Sequence, residues 1–67
     1  MLQVREILIG TNPRAVIHGT ARNINDALEL VPGTVFLYEE DLQNPNHYDV
    51  AAICENEVRT FTIEPVK

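Results

Sequence analysis

Tyr48-Asp49-Val50-Ala51-Ala52-Ile53-Cys54-Glu55-Asn56-Glu57-Val58-Arg59-Thr60-Phe61-Thr62-Ile63 is the stretch on which the fold turns. Two runs rich in strand formers, 48–54 and 58–63, flank Glu55-Asn56, which can form a tight turn, so the segment reads as a β-hairpin. The second run alternates, with Phe61 and Ile63 on one face and Arg59 beside them in register. Glu64-Pro65 ends it.

Upstream, Thr34-Val35-Phe36-Leu37-Tyr38-Glu39 reads as another strand, with Val35 and Leu37 facing one side and Phe36 and Tyr38 the other. Residues 40–47 between them, with Asn44-Pro45-Asn46, are too rich in breakers for regular structure. Ahead of this strand, Ile24, Ala27, Leu28 and Val31 fall at i, i+3, i+4 and i+7, the spacing of an apolar helix stripe. Asn23 can cap that helix with its side-chain oxygen, and Asp26 suits the positive first turn. Pro32-Gly33 closes the helix after two to three turns, too short to persist without packing.

The N-terminal third supplies two more strands. In LQVREILI, residues 2–9, Leu2, Val4 and Leu8 share a face that Glu6 interrupts. Gly10 to Arg14 is a five-residue turn built on Asn-Pro, and residues 15–20 follow as the returning strand. The order β-β-α-β-β-β predicts a single α+β domain over residues 1–67, one short helix packed on a mostly antiparallel sheet. The expected core gathers Val4, Leu8, Ile17, Ile24, Ala27, Leu28, Val31, Val35, Leu37, Ile53, Phe61 and Ile63. One helix covers one sheet face, which leaves residues such as Phe36 and Tyr38 for another surface.

A chain of 67 residues with 45% hydrophobic and 22% charged residues is globular in composition and has room for one core. A core that small commonly needs a disulfide, a metal or self-association to support it. Cys54 is the only cysteine, so no internal disulfide and no cysteine-rich zinc site can form, and an unpaired thiol fits a reducing cytoplasm. No apolar run approaches the ~20 residues of a membrane helix, and the N-terminus lacks the pattern of a signal peptide.

Charge is distributed unevenly. The net charge is −5; residues 23–57 hold eight acids and neither lysine nor arginine, whereas both flanking segments are net positive. Such a chain repels phosphate backbones and anionic membrane surfaces, so direct nucleic-acid or membrane binding is not expected. Its macromolecular partners should be basic, nucleic-acid-binding proteins. The same charge also serves solubility.

The chain carries no nucleophile-elbow, zincin, Walker or dinucleotide-binding pattern. Cys54 sits within an expected strand, seven residues from His47, and reads as a structural thiol. Glu39, Glu40, Asp41, His47 and Asp49 offer hard oxygen ligands around one imidazole, but their spacing matches no defined metal loop. His18 reads as a structural or edge histidine, and Arg14 and Arg22, at the ends of the second strand, as exposed counter-charges to the acidic middle rather than an anion site. The expectation is therefore a non-enzymatic module with no catalytic residue, metal or cofactor.

Its binding residues would be Glu39, Glu40, Asp41 and Asp49 at one end of the last three strands and Glu55 and Glu57 at the other, with Phe36, Tyr38 and Tyr48 beside them. Size and charge resemble compact acidic phage-encoded inhibitors, anti-CRISPR proteins among them, a likeness of composition alone. That likeness implies carboxylates presented where phosphates would lie on a partner's basic surface. The alternative is a homodimer or larger homo-oligomer that buries the uncovered sheet face, with acidity serving solubility.

Overall fold

The computed structural model describes residues 1–66. Five strands and one helix follow in the order β1 (Leu2–Leu8), β2 (Arg14–Ala21), α1 (Ile24–Glu29), β3 (Thr34–Glu40), β4 (Tyr48–Cys54) and β5 (Glu57–Pro65). They form one five-stranded sheet, ordered β2-β1-β5-β4-β3, in which every neighbouring pair is antiparallel. Both expected hairpins are present. Cys54 pairs with Glu57 around Glu55 and Asn56, whose φ angles of 52° and 66° give the doubly left-handed turn that matches strand twist.

The sequence left the strand order open, and the structure resolves it through a β1–β5 pairing that joins the two hairpins into one sheet. Strands β2 and β3 become the opposite edges. Residues 22–33 must then cross four strand intervals, about 19 Å at a spacing of about 4.8 Å. They do so over one face, diagonally, because β2 ends beside Leu2 whereas β3 starts beside Ile53 at the far end. The helix in this crossover is shorter than the spacing suggests, six residues, and its contacts are with β1 and β2. Asn23 caps it as expected, its side chain accepting from the Asp26 amide at 2.9 Å.

Under the crossover lies the core: Leu2, Val4, Ala21, Ala27, Val31, Val50, Ala52, Phe61 and Ile63, with Ile24, Leu28, Val35 and Tyr48 packed at its margin. Four expected core residues, Leu8, Ile17, Leu37 and Ile53, lie outside it. Ile17, Leu37 and Ile53 are 52%, 49% and 47% exposed. For two of them the cause is a bulge. In β2 the register passes from Gly19↔Val4 to Ile17↔Arg5, leaving His18 as the extra residue. In β3 it passes from Val35↔Ala52 to Leu37↔Ala51, leaving Phe36 as the extra one.

An extra residue inverts the alternation beyond it. Ile17 and Leu37 are thereby carried to the face opposite the helix. Ile53 goes there by plain register: Val50↔Phe61 pairing assigns the even positions of β4 to the core, and Ile53 pairs with Val58 on the other side. Leu8 is only half-buried, at the end of the sheet away from the helix.

Candidate functional site

The acidic residues divide into two groups, as the strand arrangement requires. Glu39 sits directly opposite Asp49 and Glu40 opposite Tyr48, so the ends of β3 and β4 bring four of the nominated side chains together. Glu55 and Glu57 lie at the other end of β4, in and after the tight turn. Like charges facing each other across an antiparallel pair oppose folding. Glu39 and Asp49 nevertheless stand there, both exposed.

The loop acids have local duties. The Asp41 carboxylate accepts from the Asn44 side-chain amide and from the Gln43 backbone, both at 2.9 Å, and these bonds hold its pKa below the ordinary aspartate value. Glu40 accepts from the Asn46 amide at 3.1 Å. Asn46 itself is left-handed, φ 65°, a conformation asparagine tolerates. Residues 41–47 are thus a braced connection, and Asp41 has little of its carboxylate free for a partner.

The aromatic side chains extend the same edge. Tyr38 pairs with Val50, on the helix side, and its ring lies 6.3 Å from that of Tyr48, while Phe36, the bulged residue, is more than half exposed. Desolvation, reinforced by the nearby Glu40 charge, raises the Tyr48 phenol above its usual pKa. Strand β3 has no neighbour beyond it, so one side of its backbone presents free amide and carbonyl groups next to Phe36, Leu37 and Tyr38.

A second polar cluster, which the sequence showed only as an interrupted pattern, sits on the helix side. Glu6 is 2% exposed, and both carboxylate oxygens are used. Arg59 donates to it twice at 2.6 Å, through Nε to Oε2 and Nη2 to Oε1, and His18 Nε2 lies 2.8 Å from Oε1. The guanidinium is 5.9 Å from the Phe61 ring centroid, and the imidazole meets that ring edge-on at 5.6 Å. Glu6 is held below the ordinary glutamate pKa, foremost by the Arg59 bonds, against the opposing effect of burial. The Glu6 bonds also hold the Arg59 proton more firmly than usual. The signals were present in the strand patterns: Glu6 on the apolar face of β1, and Arg59 in register with Phe61.

A cleft of about 520 Å³ opens next to this cluster, lined among others by Glu6, Leu8, Cys54, Glu57 and Arg59. Cys54 has no histidine partner there. His47 stands at the opposite end of β4, with Nδ1 3.9 Å from Glu64 Oε2. Among the described residues no group of three or more histidine, cysteine or acidic side chains could hold a metal ion, and no helix is long and apolar enough to cross a membrane. Comparison with protein-family models, curated proteins and solved structures finds no match for this chain.

Proposed function

We propose that the chain is a non-enzymatic interaction module that docks through β3 and its acidic end on a basic protein. The observation that carries this reading is the coincidence on one edge strand of three features. Its outer backbone is unpaired, its apolar side chains Phe36, Leu37 and Tyr38 are about half exposed, and at its end Glu39 faces Asp49 and Glu40 faces Tyr48, with no ion pair to Glu39, Glu40 or Asp49 among the described residues. An edge strand can add a partner segment by main-chain hydrogen bonds, while the flanking carboxylates select basic residues. A domain that places carboxylates over a basic groove competes with phosphates for it, which makes inhibition of a nucleic-acid-binding protein the concrete form of the function. The apolar strand beside the acids gives such a contact its desolvated centre.

The test is displacement of a labelled oligonucleotide from purified basic nucleic-acid-binding proteins, measured by fluorescence anisotropy over a range of salt. The chain should release oligonucleotide from its partner, release should weaken steeply as salt rises, and the Glu39→Lys/Glu40→Lys variant should lose it. If that variant, shown folded by circular dichroism, displaces as well as the parent, the acidic edge is not the docking surface.

A further inference from the structure

We propose that the notch between the two hairpins, at the end of the sheet that carries Glu55 and Glu57, is a strand-addition site for an extended basic peptide. The sheet is split there. The β1–β5 ladder stops at Ile7↔Thr60, whereas β4 stays paired with β5 down to Cys54↔Glu57 and β1 stays paired with β2 to Leu8↔Arg14. A continued register would set Leu8, Ile9 and Gly10 against Arg59, Val58 and Glu57. Instead β1 ends at Leu8, and the chain turns away through residues 9–13 to begin β2. Residues 57–59 of β5, the middle strand, are thus an inner edge about 10 Å long at about 3.3 Å per residue. The cleft of about 520 Å³ is the space beside that edge.

The hydrogen-bonding groups of the edge follow from the turn. A two-residue hairpin turn closes on a pair that exchanges both backbone bonds, here Cys54 and Glu57, so Arg59, two residues on, also bonds toward β4. Val58 lies between them and aims its N–H and C=O the other way, into the cleft, past the last rung of the β1–β5 ladder. Among the described residues no backbone bond outside the strand ladders reaches it. A peptide strand antiparallel to β5, in the place that β1 vacates, takes both groups as the next rung of the sheet.

The side chains around the edge set the chemistry of the peptide. Val58 is 63% exposed and stands on the helix-free face beside its partner Ile53, itself 47% exposed. The peptide residue opposite Val58 points toward that apolar pair and is apolar itself. Its successor stands opposite Glu57, on the other face. Glu55 and Glu57 are exposed and make no ion pair among the described residues, while Arg59 is already bonded twice to Glu6. The two carboxylates are therefore the uncompensated charge at the mouth of the notch, and a lysine or arginine in the second position answers them. The site thus reads an apolar residue followed by a basic one. It shares no residue with β3 and its acidic end, so it stands or falls independently of the docking reading above.

The probes are two blocked tetrapeptides, acetyl-Thr-Ile-Lys-Thr-amide and acetyl-Thr-Ile-Glu-Thr-amide, titrated into the nitrogen-15-labelled chain and followed by NMR. The lysine peptide should shift the amide signals of residues 57–59 and slow hydrogen exchange at the Val58 amide. It should also slow the alkylation of Cys54, which lines the same cleft, by N-ethylmaleimide. The glutamate peptide should bind about ten-fold more weakly. Glu57→Lys should invert that preference, and Glu39→Lys/Glu40→Lys should leave it untouched. Equal binding of the two peptides by the parent chain overturns the proposal, and so does a preference that survives Glu57→Lys. Shifts confined to β3, or none at millimolar peptide, overturn it as well.

Discussion

Replacing Arg59 by methionine tests the buried network most directly. The variant removes both 2.6 Å bonds to Glu6 but leaves an apolar stem over Phe61. Glu6, at 2% exposure, then keeps only His18 as a partner. Breaking a buried pair by deleting one member costs about 3–5 kcal/mol. The Arg59 side chain is 32% exposed, so water can enter the vacated space and reduce the expected loss to about 2–3 kcal/mol. For a domain of this length, whose total stability is about 3–10 kcal/mol, that is a large fraction.

Urea unfolding followed by circular dichroism at neutral pH reads the loss. The double variant Glu6→Gln/Arg59→Met should recover part of it, because no unpaired carboxylate remains. A loss below about 1 kcal/mol in Arg59→Met, or a double variant equal to the sum of the singles, would refute the reasoning. The pH dependence has a definite sign. With Arg59 present the folded Glu6 pKa lies below the reference 4.5, so the stabilisation is present above pH 4.5 and is lost as pH falls through the lower folded value. Without Arg59, burial opposes the charge and moves the folded pKa up. With only His18 left to oppose burial, the stabilisation that Glu6 gives above pH 4.5 should shrink.

Two further substitutions separate stability from surface chemistry. Glu39→Lys should raise the urea midpoint, by a few tenths to about 1 kcal/mol in stability, since a cross-strand repulsion with Asp49 becomes an attraction; an unchanged or lower midpoint would show that the facing acids do not interact. Gly33→Ala should cost about 2 kcal/mol or more in thermal unfolding, because φ is +78° and a Cβ would lie 2.3 Å from the Ile53 carbonyl oxygen; a smaller loss would mean that the start of β3 moves freely.

The hairpin turns, the helix cap and the two apolar residues Phe61 and Ile63 were legible because each depends on a few adjacent residues. Asn23 caps with its own side chain, and Glu55-Asn56 turns with its own backbone. Ile17 and Leu37 were misplaced for a reason that no local pattern contains. A bulge is chosen by the strand alongside, and one inserted residue in β2 or β3 inverts everything beyond it. Glu6 and Arg59 were visible as breaks in two apolar patterns. Their meeting depends on the β1–β5 pairing, a contact between residues 53 apart that neither strand reveals alone. The acidic end was legible for the opposite reason: β3 and β4 are consecutive, so their order fixed which carboxylates would face each other.

The placement of that network also explains why so much apolar surface is left outside. The crossover must reach from one sheet edge to the other in twelve residues, and a six-residue helix against β1 and β2 is all it can supply. Beyond the reach of the helix the same face is closed by Glu6, Arg59 and His18, polar groups that satisfy one another. The core therefore draws few large side chains: Val4, Phe61 and Ile63 are the largest fully buried ones. Leucines and isoleucines that would enlarge it, Leu37, Ile17 and Ile53, stand on the far face instead. A domain this small gains little margin from its own interior. Removing that far face from water would add apolar burial at about 25 cal/mol per Å². The bulges that shrink the core and the apolar side chains exposed on the far face are thus consequences of one arrangement of strands.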